Sequence, residues 1–432
     1  MLRWSGAAWL AASTLKHPRC ERMIAGKCRA GLFSAFGVSA LGRGLLAKSR
    51  RLARLAAFCL LALAVSSCRS HDFPEYPANY REFAYVTNGG SGTVSVIDVV
   101  NVRLDRELQV GQNPVSVVTS PTRNEVYVVN FGAEGALGSI SVINAENNTV
   151  AATIAVHRQP VSIDIDPDGA LAYVANSGSN SISILDLKAR REVAQIAAGE
   201  EPVSARIAPD GKTLVVANRR GNSVSIVDLA ARTTRATFGD CPGASDAVVL
   251  PDSTKAFAAC SAGHQVMAIV LAHSKAHPDQ PDRLEAFMDV GRAPAQLALK
   301  PDGGEIFVSN SLSDSISEVI TTTDDVLGAY MIGDNPVRGV VSSDNSLLYV
   351  ANFRSQYVTA YSIEDGRRLI PSIHVGDGPS ALAFSGSGNL LFVVDTRSGD
   401  VSVVRTASRS LFNMLPTGRN PNAIAIKAFK LP

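Results

Sequence analysis

Across residues 83–427 the apolar positions fall in short runs, and polar residues alternate through them with a period of two. Val94-Ser95-Val96-Ile97-Asp98 and Val224-Ser225-Ile226-Val227-Asp228 are typical. A period of two sends successive side chains to opposite faces of an extended chain, so these runs predict strands. β-branched residues dominate them, as a pleated, half-buried surface favours. No helical period is sustained. The runs are separated by polar turns such as Pro167-Asp168-Gly169 and Pro209-Asp210-Gly211. Proline presets φ and Asp-Gly tolerates a tight reversal, so these turns predict antiparallel hairpins.

The pattern repeats. One strand ends in Tyr85-Val86-Thr87-Asn88, Tyr127-Val128-Val129-Asn130, Tyr173-Val174-Ala175-Asn176 and Val215-Val216-Ala217-Asn218. It returns as Phe307-Val308-Ser309-Asn310 and Tyr349-Val350-Ala351-Asn352, and in altered form as Phe257-Ala258-Ala259-Cys260 and Phe392-Val393-Val394-Asp395. Successive final positions lie 42, 46, 42, 42, 50, 42 and 43 residues apart. Each unit also has a Gly-x-x-Pro-type joint followed by a short strand, after Pro114, Pro160, Pro202, Pro242, Pro294, Pro336, Pro379 and Pro421. Four strands every ~40–45 residues is the signature of propeller blades.

These units resemble the YVTN-type β-propeller repeat, over residues 83–427. The resemblance implies an all-β, single closed propeller of four-stranded antiparallel blades. Eight blades are expected, with seven the alternative if one altered repeat is not a full blade. The first repeat lacks an inner strand and the last inner strand, Asn422 to Lys427, lacks a blade. Pairing the two in the first blade closes the ring and removes an exposed edge. Both tryptophans, Trp4 and Trp9, lie in the leader, which disfavours WD-type repeats.

Charge divides the chain. Residues 1–67 hold 11 Lys and Arg against the single acid Glu21, although the whole chain is only +2. Within them, Arg50, Arg51 and Arg54 precede an apolar run from Leu55 to Val65, then Ser66-Ser67-Cys68. This order reads as a secretory signal, and the run is too short to span a bilayer. The small-small-Cys ending resembles a bacterial lipobox, which implies acylation of Cys68. An ordinary signal peptide whose cleavage site happens to contain Cys68 is the other reading. Residues 1–45 are superfluous to such a signal and fit a start assigned too early; a twin-arginine signal is the weaker explanation. Residues 68–82 read as a lipidated tether and 83–432 as the propeller. Arg69, not aspartate, follows Cys68, which favours the outer membrane over inner-membrane retention. A cell-envelope location, periplasm-facing or at the surface, follows. The near-neutral total argues against a nucleic-acid partner.

Several residues stand out as site candidates. Four residues past the joint prolines stand Val118, Asp164, Arg206, Asp246, Ala298, Val340, Ala383 and Ala425. Asp164, Arg206 and Asp246 are therefore expected at one level near the axis, with Arg338 closer to the joint face. Such a cluster holds a polar ligand or satisfies itself as an ion network lining a wet channel. The joint face is expected to carry His157, Arg158, Glu200, Glu201, Arg219, Arg220, Asp334, Arg354, Arg397 and Arg419, a rim suited to a small anion or a protein. The fifth unit holds Cys241 and Cys260 on adjacent antiparallel strands, so a disulfide is expected in an exported protein, with two buried thiols the alternative. It also carries an insertion near residues 272–282, with His264, His273 and His277 nearby; its prolines argue for a loop rather than a metal helix.

No Cys-x-x-Cys-His, Gly-x-x-x-x-Gly-Lys, Gly-x-Ser-x-Gly or His-Glu-x-x-His is present. The expected function is an exported, lipid-anchored, monomeric binding scaffold that requires no cofactor. Its partners are the membrane, an envelope protein, a polysaccharide or a small anion. YVTN-type repeats are similar to the propellers of haem-binding nitrite reductases and their maturation proteins, and to lactonase-like propellers. That similarity implies a cofactor-binding or enzymatic alternative, for which His157 is the one candidate haem ligand.

Overall fold

The computed structural model describes residues 75–272, 280–364 and 368–431. The leader, Cys68, Arg69 and the first part of the tether lie outside the described residues, as do His273 and His277.

The described residues form 32 strands in eight four-stranded antiparallel sheets. Numbered along the chain, blade 1 comprises residues 80–109 with 421–430, blade 2 114–158, blade 3 160–197 and blade 4 202–238. Blade 5 comprises 244–289, blade 6 294–331, blade 7 336–374 and blade 8 379–416. In blades 2–8 the strands follow one another from an inner to an outer position. Each inner strand touches its counterparts in both neighbouring blades, so the sheets close into a ring. Blade 1 is assembled from both regions of the chain. Its inner strand, Pro421–Lys430, pairs with Tyr80–Asn88 in a register running from Tyr80↔Lys430 to Asn88↔Pro421. The count is eight, and the first strand begins at Tyr80, three residues before the repeat becomes visible in the sequence.

The core lies between blades. Eight clusters of buried side chains each draw on two adjacent sheets, as where Tyr127, Val129 and Ile140 of blade 2 meet Ile163, Val174 and Leu185 of blade 3. The second and third strands are covered on both faces, so even the polar members of the alternation, such as Ser95 and Ser225, are buried. The outer strands face water, and Arg103–Gln109 has no fully buried residue.

The joints explain the repeat's punctuation. The residue before every inner strand has positive φ: Asn113, Gln159, Glu201, Gly243, Ala293, Asn335, Gly378 and Asn420. Its carbonyl accepts the N–H of the residue following the repeat's Asn position, as Phe131 N–H donates to Asn113 O at 3.0 Å and Ser261 N–H to Gly243 O at 3.3 Å. Joints and Tyr-Val-x-Asn ends therefore share one face, and the Pro-Asp-Gly turns occupy the other. The joint glycine permits close approach: a Cβ on Gly199 would fall 2.6 Å from the Asn218 side chain. The Asn amide then bonds hydroxyls on the third strand, as Asn218 Nδ2 does to Ser225 Oγ at 2.9 Å.

Blade 5 corrects the sequence alignment. Ala244 pairs with Cys260 as Pro202 pairs with Asn218. Its inner strand thus starts two residues after Pro242, and Cys241 occupies the position of the joint glycine. Cys241 and Cys260 form a disulfide in place of the Gly–Asn contact, both fully buried with Cα atoms 4.7 Å apart.

Candidate functional site

The inner strands are the edges of their sheets, so every second N–H and C=O faces the channel without a ladder partner. Side chains from the preceding blade satisfy several of them. Asp164 Oδ2 accepts Ile207 N–H at 3.0 Å, Asp246 Oδ2 accepts Leu297 N–H at 3.2 Å, and Gln296 Oε1 accepts Gly339 N–H at 2.8 Å. Nearer the joint face, Ser245 Oγ donates to Pro294 O and Asn422 Nδ2 to Pro114 O, each at 2.9 Å. The polar residues of the inner strands therefore stitch blade to blade.

Asp164 and Arg206 share one level, four residues past their joint prolines. Asp246 does not join them. The two-residue offset of blade 5 puts it level with Ser204, Gln296 and Arg338, whose partners on the second strands are equivalent. The expected single Asp-Arg-Asp level is thus two levels: Asp246, Gln296 and Arg338 nearer the joint face, Asp164 and Arg206 deeper. Arg206 connects them, its Nη2 lying 3.5 Å from Asp246 Oδ1, to which Ser204 Oγ also donates at 3.1 Å. Burial works against the Arg206 charge, but Asp246 and Asp164 outweigh it and raise its pKa. Burial raises the Asp164 pKa, with Arg206 and the Ile207 and Ile165 N–H groups opposing. Protein surrounds Arg206, yet 39% of its side chain is open to solvent, as expected for the lining of a wet channel.

Arg338 differs from this network. It is exposed to the channel and makes no hydrogen bond or ion pair among the described residues. Burial in the channel lowers its pKa, with Asp246 opposing and the like charge of Arg206 adding to the fall. A guanidinium placed among walls and left unmatched is a ready anion site.

The rim residues are dispersed. Arg219 and Arg220 both reach Glu201, at 3.4 and 3.7 Å. Arg397 stacks over Phe353 at 4.6 Å and lies 3.8 Å from Asp377. Arg397 and Arg419 come together in a cleft of about 640 Å³ between blades 8 and 1. Arg158 and Arg354 are exposed separately on other blades. His157 is not brought to the channel. It is the penultimate residue of the outer strand of blade 2, with Nε2 3.2 Å from Glu192 Oε1 on the outer strand of blade 3. His264 is held in a joint-face turn, where its Nδ1 accepts Ala293 N–H at 3.2 Å. The insertion is pinned at its base by Asp282, whose carboxylate takes Arg235 in a bidentate pair at 2.6 and 2.8 Å. Among the described residues, no group of three His, Cys, Asp or Glu is placed to hold a metal.

One titratable pair escaped the sequence reading. In blade 8 the repeat's Asn is Asp395, fully buried, and the facing hydroxyl position is Asp400. Asp395 Oδ2 lies 2.7 Å from Ser402 Oγ. Burial and the Asp400 charge push its pKa up to about 8, against the Ser402 and Gly376 hydrogen bonds. A protonated carboxyl is therefore the isostere of the amide it replaces. The substitution was visible in the sequence; its consequence depends on Asp400 lying opposite.

The described residues thus form an eight-bladed β-propeller with a polar, water-accessible channel into which Arg338 sets a guanidinium unmatched among them. Residues 118–240 match the model of the family described as lactonase, 7-bladed beta-propeller. No curated protein matches the chain. Among solved structures, the chain is similar to dihydro-heme d1 dehydrogenase NirN in complex with DHE (15% identity, 82% of this chain and 76% of that one, TM-score 0.66). It is also similar to apo AztD from Citrobacter koseri (14%, 81% and 98%, TM-score 0.60) and to a putative 6-phosphogluconolactonase from Bacteroides uniformis ATCC 8492 (14%, 81% and 100%, TM-score 0.56). At these identities the likeness is one of fold.

Proposed function

We propose that this chain is an exported, lipid-anchored binding propeller that takes an anionic group into the joint-face mouth of its channel. The observation that carries the reading is Arg338, open to the channel and unpaired while Arg206 beside it is matched by Asp246. The anion belongs either to a small molecule or to a side chain of an envelope partner. Asp164, Asp246, Gln296, Ser245 and Asn422 are occupied in holding neighbouring blades together, so they shape the channel rather than react. The described part of the tether enters blade 1 on the Pro-Asp-Gly face, where Tyr76 stacks on Tyr80 at 4.7 Å.

The likeness to a putative 6-phosphogluconolactonase supplies the probe. Titration of the full chain with 6-phosphogluconate is expected to show saturable binding that Arg338→Gln weakens about tenfold or more. Binding unchanged in that variant overturns the assignment of Arg338. Hydrolysis of the corresponding lactone above the uncatalysed rate, abolished with binding, would move the protein to the enzymatic reading. The haem reading has less support. The eight inner strands contain no His, Cys, Met or Tyr, and His157 is engaged at the outer edge. For the anchor, Cys68→Ala is expected to release the protein from membranes; retention there refutes lipidation as the tether.

A further inference from the structure

A second site lies on the opposite face, between blades 7 and 8. At this level every interface but that of blade 4, which has Val215, sets an aromatic residue of one blade against a turn of the next. In blade 2 the set is complete: Tyr127 OH donates to Glu125 Oε2 at 2.6 Å, and Arg190 of blade 3 donates to Glu125 Oε1 at 3.1 Å. The carboxylate bridges phenol and guanidinium. In blade 1 the phenol of Tyr85 instead donates to Asn148 Oδ1 of blade 2 at 2.6 Å.

Between blades 7 and 8 the phenol and the guanidinium are present without the carboxylate. Tyr349 is equivalent to Tyr127, and Arg409 occupies the left-handed turn position held by Arg190 and Asn148, with φ of 54° at Arg190 and 51° at the other two. The residue equivalent to Glu125 is Leu347. Tyr349 is fully buried and its hydroxyl has no partner among the described residues. Arg409 is exposed and makes no ion pair among the described residues. Both line a cavity of about 600 Å³, whose walls include Val341, Leu347 and Phe384. The one acidic lining residue, Asp344, is turned aside, accepting Ser346 Oγ at 2.8 Å and Ser346 N–H at 3.1 Å.

We propose that this cavity binds a small carboxylate with an apolar body. Its carboxylate takes the place of the Glu125 side chain between Tyr349 and Arg409, and its body packs on Leu347 and Phe384. The volume suits a small organic ligand. An unmatched buried phenol is costly, and a carboxylate acceptor removes that cost. The site is independent of Arg338 and of the channel.

The test is calorimetric titration of the full chain with phenylacetate, alongside four variants. Saturable binding is expected, weakened about tenfold by Tyr349→Phe and by Arg409→Ala. Neither residue makes a hydrogen bond or ion pair within the described fold, so both variants are expected to fold. Leu347→Glu supplies the missing carboxylate from within and is expected to abolish binding while raising the unfolding midpoint. Arg338→Gln is expected to leave phenylacetate binding intact. Absence of saturable binding, or binding indifferent to both Tyr349→Phe and Arg409→Ala, overturns the proposal and leaves a solvated cleft only.

Discussion

Asp395 shows how much one atom decides. Replacing the repeat's amide by a carboxyl keeps the shape but makes the donor conditional on a proton. In the folded protein that proton stays to about pH 8, whereas an unfolded aspartate loses it near pH 4. The stability it supports is therefore complete below about pH 4 and is lost as pH rises towards about 8. Asp395→Asn is expected to remove this decline. Its unfolding midpoint at pH 9 should lie several degrees above that of the parent, with a smaller difference at pH 5. Equal differences at both values would show that the carboxyl is already ionised. Single residues were unevenly legible in the sequence. Asp164 and Arg206 fall at the channel level expected because their joint prolines set the register. Asp246 was misplaced because Pro242 stands two residues too early to serve as that marker. The Pro251-Asp252 turn would have aligned it correctly, since it matches Pro209-Asp210 of the preceding blade. The Tyr349–Arg409 pairing was out of reach, because it depends on contact between different blades.

At the scale of the element, the recurrent unit is the joint rather than the strand. Glycine, left-handed residue, proline and asparagine form one device that fastens an outer strand to the next blade. Blade 5 replaces the device as a set. Cys241 and Cys260 stand for Gly and Asn, while Gln265 and Met267 stand where the accepting hydroxyls usually are. A closed loop of this length, with the cysteines 19 residues apart, restricts the unfolded chain by about 3 kcal/mol in the entropic model. Cys241→Ala with Cys260→Ala is expected to cost about that much in urea unfolding. Restoring Gly and Asn at these two positions should not recover it, because the buried amide would face Met267. Full recovery would show that the disulfide merely replaces the older contact. Strands and turns were legible because period-two alternation and Asp-Gly reversals are local signals. The disulfide's place in the joint is not a local signal, because Pro242 stands two residues out of register with the joint prolines of the other blades.

For the whole molecule, the surplus inner strand announced a closed ring. The eight-blade count followed from equal numbers of second and inner strands, even though the family model that matches residues 118–240 describes seven. Closure is also where the ring is most exposed to damage. Deleting residues 421–432 leaves Tyr80–Asn88 with an unpaired edge and uncovers the apolar contacts of Ile424 and Ile426 with blade 8. The truncated chain is expected to elute as aggregate in size-exclusion chromatography, where the parent is expected to elute as a monomer; a stable truncated monomer would show that seven blades plus a three-stranded remnant suffice. The same strand imposes an order in time. Tyr85 must wait for Ala425, its partner in blade 1. At ordinary synthesis rates of about 5–20 residues per second, that wait is roughly 20 seconds to a minute. Blades 2 to 8 have all their strands as soon as they are made, but the blade begun first is finished last.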